Sequence, residues 1–234
     1  MIDSPTIELI KQNRALTVFS CLFILVFIFL GFWQIERAES KAKLIQAFDE
    51  EQTKAPNYIS NTSTAWSRVY IEGLYDPSHQ VLIDNQINNG IVGYKIYTPF
   101  YYGENQAIFV DRGWVSQGKT RGDYPDINFS AGKLSIIGSL IKPEKEFLAG
   151  DELLTNEWPL VSQTKSPTII NTAYSAKFFD MVLILDPRSE FIAEYIPPKP
   201  FVITPAKHYG YALQWFTMSV VLAAMFIYAI KRES

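Results

Sequence analysis

Two histidines, His79 and His208, supply every imidazole of this 234-residue chain, and Cys21 is its single thiol. An imidazole can carry a proton near neutral pH or bind a metal, so these positions bound much of the acid–base and metal chemistry open to the sequence. His79 lies in Asp76-Pro77-Ser78-His79, turn chemistry ahead of a strand-like run, which predicts a solvated residue. It has no cysteine partner and no HExxH spacing, and no GxSxG elbow offers it a serine to activate. A lone cysteine cannot close a disulfide within the chain or form a CxxC site, which removes thiol-based metal delivery.

His208 opens the run His208-Tyr209-Gly210-Tyr211-Ala212-Leu213-Gln214-Trp215-Phe216. In a helix starting near it, His208, Tyr211 and Trp215 share one face at i, i+3 and i+7. Gln214 then needs a hydrogen-bond partner inside an apolar layer. One reading is an interfacial belt of tyrosine and tryptophan with a histidine at headgroup depth. The other is an imidazole able to ligate haem iron beside an aromatic surface fitted to a macrocycle. At the end of an earlier apolar run, Trp33, Gln34 and Arg37 place an indole, an amide and a guanidinium, and Arg37 can pair with a propionate or snorkel to the interface.

Gly113-Trp114-Val115-Ser116-Gln117-Gly118-Lys119-Thr120 matches the phosphate-loop pattern GxxxxGK[ST] after a strand-like run. A phosphate loop must lead into a helix, yet Arg121-Gly122-Asp123-Tyr124-Pro125-Asp126 is rich in breakers, so a strand followed by a turn is expected. The net charge of −3 and the lack of a basic run leave no footprint for nucleic acid.

These residues must be positioned by two kinds of element. Ala15 to Trp33 and Tyr209 to Ile230 are uncharged apolar runs of about 20 residues, the length that crosses a hydrocarbon core. The first exceeds a signal-peptide core and ends in Trp33-Gln34 instead of a cleavage site, which predicts an uncleaved anchor. Lys11 and Arg14 before it, with Lys231 and Arg232 after the second, place both termini in the cytoplasm. The expected layout is a cytoplasmic segment 1–14, a transmembrane helix 15–35, an extracytoplasmic domain 36–207, a transmembrane helix 208–230 and a cytoplasmic end 231–234. Asp3 and Glu8 are unlike a transit peptide, which favours a bacterial inner membrane.

Glu36 to Gln52 reads as a charged helix continuing from the first span, halted before Pro56. Strands are predicted over 67–74, 80–84, 94–100, 107–115, 134–141 and 181–185, with turns at Asn88-Asn89-Gly90 and Tyr102-Gly103-Glu104-Asn105. Helix is expected within 168–179. The fold class is therefore a membrane protein with two transmembrane helices flanking one α+β, mainly antiparallel β domain.

Four segments, in order along the chain, carry a resemblance. They are Gly31-Phe32-Trp33-Gln34-Ile35-Glu36-Arg37; Gly73-Leu74-Tyr75-Asp76 with Gly93-Tyr94-Lys95-Ile96-Tyr97-Thr98-Pro99-Phe100; Val110-Asp111-Arg112-Gly113-Trp114-Val115; and the His208 to Phe216 run. Together they resemble the surfeit-locus-one family of cytochrome c oxidase assembly proteins. The resemblance implies a non-enzymatic assembly factor that helps place haem a in subunit I of a haem–copper oxidase, with haem a synthase as a further partner. It makes His208 the haem-iron ligand, and the paired motifs at the two membrane ends suggest Tyr211, Trp215 and Trp33 against the ring and Arg37 near a propionate. Gln34, Gln214, Gly93, Tyr94, Arg112, Gly113 and Trp114 are implied in structural or partner-binding roles. The sequence departs from the family in Asp111, usually Asn, in Ser116, where proline often follows, and in the sparsely charged Asp84-Asn85-Gln86. Two other readings stay open at this point: a chaperone of subunit I that never binds haem, and an extracytoplasmic enzyme or sensor using His79 or Asp84 with Asp111.

Overall fold

The structure, a computed structural model, describes residues 14–120, 123–143, 157–198 and 203–232. Its elements run α1 (Arg14–Thr53), β1 (Asn57–Tyr58), β2 (Arg68–Tyr75), β3 (Val81–Asn88), β4 (Ile91–Tyr101), β5 (Gln106–Ser116), β6 (Leu134–Ile141), β7 (Leu160–Ser162), α2 (Pro167–Ile170), β8 (Lys177–Leu185) and α3 (Pro205–Arg232). They fall into two units, one of residues Phe48–Pro198 and one formed by the chain before and after it.

In the first unit β2, β6, β8, β5 and β4 pair in that order, and β4 returns to β2, which closes a barrel. Strands β3 and β7 extend from β4, and β1 lies beside β2. The pairings are mainly antiparallel as expected, with β1–β2, β3–β7 and β5–β8 parallel.

Closure demands that β4 change partner along its length. Val92 to Tyr97 pair with β3, whereas Phe100 and Tyr101 pair with Tyr75 and Leu74 of β2. Pro99 stands between the two registers, where a residue with no amide hydrogen interrupts the ladder least, and its carbonyl accepts from the Asp76 amide at 2.9 Å. At the closure Gly73 lies against β4 so closely that a Cβ would fall 2.0 Å from the Tyr101 carbonyl oxygen.

Side chains alternating along β5 enter two different cores. Ile108 and Val110 join Val69, Ile71, Phe100, Leu140 and Leu183 in one cluster, while Ala107 and Phe109 join Tyr97, Val81, Ile83, Leu160 and Ile170 in the other. A strand apolar on both faces reads as a continuous hydrophobic run, which is what Ala107 to Val110 is.

The six predicted strands all form. Strand β3 runs further than expected, because after an irregularity at Asp84-Asn85, with Asn85 at φ 57°, its pairing with β4 resumes through Asn88. Asn89 and Gly90, at φ 50° and 81°, then make the tight hairpin turn. The helix expected within 168–179 ends at the 3₁₀ turn Asn171–Ala173, and Lys177 to Phe179 are strand. The reason is packing: Phe178 stacks on Phe109 at 4.2 Å, which an extended chain beside β5 permits. As predicted, β5 continues through Ser116 and no helix follows it over the described residues 117–120 and 123–133; Arg121 and Gly122 lie outside the described residues.

The closure gives a direct test. Gly73→Ala should lower the melting temperature of the full chain by roughly 3–9 °C, the cost of overpacking a closed site. Gly103→Ala, whose nearest neighbour would be the flexible Gln106 side chain at 3.3 Å, should move it by under about 2 °C.

Candidate functional site

Helices α1 and α3 are both long and apolar enough to cross a membrane. Helix α3 begins with Pro205 after Thr204, a residue order suited to a helix start, so His208 lies in the first turn. The pair runs antiparallel, because contacts that ascend α1 descend α3: Phe27 meets Trp215 at 5.7 Å, and Gln34 meets His208. Small residues let the backbones approach, with Ser20 and Gly31 buried on α1 and Ala212 and Ser219 on α3. A Cβ on Gly31 would lie 2.6 Å from the Phe216 ring, which also meets Phe32 edge-on at 5.3 Å.

The His208–Gln34 contact joins Nδ1 to Oε1 at 2.7 Å. An amide oxygen only accepts, so Nδ1 donates, and a neutral ring bonded in this way carries its lone pair on Nε2. Among the described residues this is the only hydrogen bond of the ring. Two sequence-predicted residues from opposite ends of the chain are thereby brought together, and Nε2 is left without a hydrogen-bond partner among the described residues.

At about 100° per residue, Trp33 and Arg37 lie on one flank of Gln34 and Tyr211 on the matching flank of His208. In an antiparallel pair these flanks share a side. The Arg37 guanidinium sits 5.5 Å from the Trp33 ring centroid, and Trp33 and Tyr211 are exposed to whatever surrounds the helices. Trp215 instead packs inward on Phe27. Gln214 points away from α1 and has no hydrogen-bond partner among the described residues.

The barrel residues of the same prediction form a buried brace. Arg112 is 5% exposed; its Nε donates to the Phe191 carbonyl at 2.8 Å, its Nη1 to Gln80 Oε1 at 2.7 Å, and its guanidinium lies 4.0 Å over Phe129. Thr98 donates to the same Gln80 oxygen at 2.8 Å. Desolvation pushes the Arg112 pKa down to about 10 and holds the nearby Tyr75 phenol well above its usual value.

Gly113, at φ 105°, turns the strand so that Trp114 Nε1 reaches the Gln86 carbonyl at 2.8 Å. The indole lies where a Cβ on Gly93 would be, 2.6 Å away. Tyr94 is buried beside Leu82 and Ile96. Asp111 is buried and bound to Lys95 at 2.6 Å, which gives an aspartate at this position its counterion. Its other oxygen accepts from the Gly113 amide at 3.0 Å. His79 stays in its turn, with Nδ1 2.7 Å from Asp76.

Sequence reasoning did not find Gln80, Thr98, Phe129 or Phe191, which complete the Arg112 brace. Thr98 was within reach as part of the Tyr94 to Phe100 motif, whereas Phe191 meets Arg112 through its backbone carbonyl, a bond that any residue could make.

Comparison with known proteins bears on what this arrangement serves. The SURF1 family model matches residues 21–220, a span that includes both partners of the His208–Gln34 bond. The chain belongs to the SURF1 family. A SURF1-like protein of Rickettsia felis is 23% identical over 218 residues, covering 89% of this chain and 93% of its own length. A yeast protein named cytochrome oxidase assembly protein SHY1 is 27% identical over 103 residues, 41% of this chain and 26% of the yeast protein. Surfeit locus protein 1 of Takifugu rubripes is 24% identical over 152 residues, covering 55% of this chain and 63% of that protein. This SURF1-family chain thus spans about a quarter of the yeast relative and nearly all of the rickettsial one.

The brace makes its own prediction. Arg112→Met removes the donors to Gln80 and to the Phe191 carbonyl and should destabilise the full chain by roughly 2–4 kcal/mol in thermal unfolding. Arg112→Lys keeps the charge without the planar fork and should recover less than half of that loss.

Proposed function

We propose that α1 and α3 anchor this protein in a bacterial inner membrane, with both termini cytoplasmic and the barrel outside. There it acts, without catalysing a reaction, in the assembly of cytochrome oxidase. Haem a is its cargo, bound transiently at His208 Nε2 on the way to subunit I, with haem a synthase as the source. Family membership and the name of the yeast relative support the assembly role. Lys231 and Arg232 at the end of α3, with Lys11 and Arg14 in the sequence, support the orientation.

The observation that carries the haem reading is the 2.7 Å bond from His208 Nδ1 to Gln34 Oε1. Metal-binding histidines commonly fix their ring by donating the other N–H, and that bond sets both tautomer and direction. The residues suit the group: Nε2 has no partner among the described residues, Trp33 and Tyr211 offer aromatic surface on one flank, and Arg37 adds a cation for a propionate. Bound there, the haem would supply iron chemistry to the oxidase and none to this protein. A single protein ligand suits a carrier, since its cargo must leave.

The test is a reduced-minus-oxidised spectrum of membranes from a strain lacking the gene, complemented with native protein, His208→Ala or Gln34→Leu. Native protein should restore the a-type signal and His208→Ala should not. Gln34→Leu, which frees the ring to rotate, should weaken haem binding by roughly tenfold or more and restore the signal in part. Full restoration by His208→Ala would move the assignment to a chaperone of subunit I that never holds haem.

A further inference from the structure

On the barrel unit, a cleft of about 400 Å³ opens where β3 begins. Its walls are the indole of Trp158 and the phenol ring of Tyr124, 36% and 43% exposed, with Pro77, Pro125 and Pro159 between them. Both rings are held. His79 meets Trp158 edge-on at 4.8 Å, Tyr174 packs on Trp158 at 5.3 Å, and Tyr124 lies against Tyr94 at 6.3 Å. Tyr174 fixes this corner by donating its hydroxyl to the His79 carbonyl at 2.7 Å.

The floor is rigid and already satisfied. Gln80 donates to the Pro77 and Ile127 carbonyls at 2.9 and 3.2 Å, and its own oxygen accepts from Arg112 and Thr98. The rim is negative: Asp126 lines the cleft and uses Oδ1 to accept from the Asn128 amide at 3.1 Å, while Oδ2 has no bond among the described residues. Among the described residues neither lysine nor arginine lines the cleft, and Asp123 and Glu157 adjoin its lining residues in sequence.

Two part-exposed aromatic rings with a carboxylate at the rim suit an organic cation, because ring quadrupoles and the carboxylate attract the same charge. The volume is small for a cofactor and ample for one long side chain. We infer that this cleft receives a lysine or arginine side chain presented on an extended segment of a partner protein. The buried Arg112 behind Gln80 repels a cation from the floor and keeps the contact at the level of Asp126, Trp158 and Tyr124. This inference does not rest on haem binding by His208.

The experiment uses the full chain in nanodiscs with ¹⁵N-labelled tryptophan. The probes are N-acetyl-arginine amide and N-acetyl-lysine amide, with N-acetyl-glutamine amide and choline as comparisons. The Trp158 indole signal should shift saturably with the arginine and lysine probes and not with the glutamine probe. Asp126→Asn should weaken that response at least fivefold and Tyr124→Leu at least threefold, while an unchanged Trp114 indole signal reports an intact fold. A Trp158 signal that ignores both basic probes, or that responds equally in Asp126→Asn, overturns the proposal. So does a tighter response to choline, which would assign the cleft to a lipid headgroup.

Discussion

Strand β5 has no solvent face, and a strand in that position constrains everything around it. Ile108 and Val110 fill the barrel while Ala107 and Phe109 need a second cover on the outside. That cover is supplied by β3, β7 and α2, which explains why a closed barrel carries extra strands that take no part in closure. A slip of one residue in β5 would exchange the two sets of side chains, so its pairing with both β4 and β8 is strongly specified. The register shift between Lys95 and Tyr97 on β4 falls where the apolar run of β5 gives way to Asp111 and Arg112, and a second, between Ala107 and Phe109, is taken up by extra residues on β8.

At that end the barrel exchanges apolar filling for a charge. A buried guanidinium is costly unless its donors are used, and Arg112 meets this demand with carbonyls and neutral side chains instead of a carboxylate. The ion pair next to it, Lys95 with Asp111, is separate and points to the other side of the strand. Arg112 thereby fastens three segments distant in sequence, around Gln80, Ile127 and Phe191, to one point on β5. Trp114 does the same for Gln86 and, by close contact, for Gly93.

Much of this was legible in the residues. Apolar runs gave the two helices, and β-branched and aromatic runs between turn residues gave six strands, because those signals are local. The barrel closure was not legible, since a two-residue pairing between β2 and β4 leaves only Gly73 and Pro99 as traces. Strands β1 and β7, of two and three residues, are too short to show a period. In the helix pair, helical spacing brings His208, Tyr211 and Trp215 near one another but does not show that Tyr211 stays exposed while Trp215 packs on Phe27. The bond from His208 to Gln34 was not legible either, because it joins residues 174 positions apart. Trp158, Tyr124 and Asp126 likewise come together through tertiary folding, from segments whose only common mark is a neighbouring proline.

The partner that orients His208 is an amide. A carboxylate in the place of Gln34 would draw the Nδ1 proton toward itself and give the ring imidazolate character, which makes Nε2 a stronger electron donor. A neutral carbonyl fixes direction without drawing that proton away. In a setting of low dielectric it also brings no formal charge that would itself need compensation. The direction of the ring and the donor strength of Nε2 are thus set by different features, and glutamine fixes the first without raising the second.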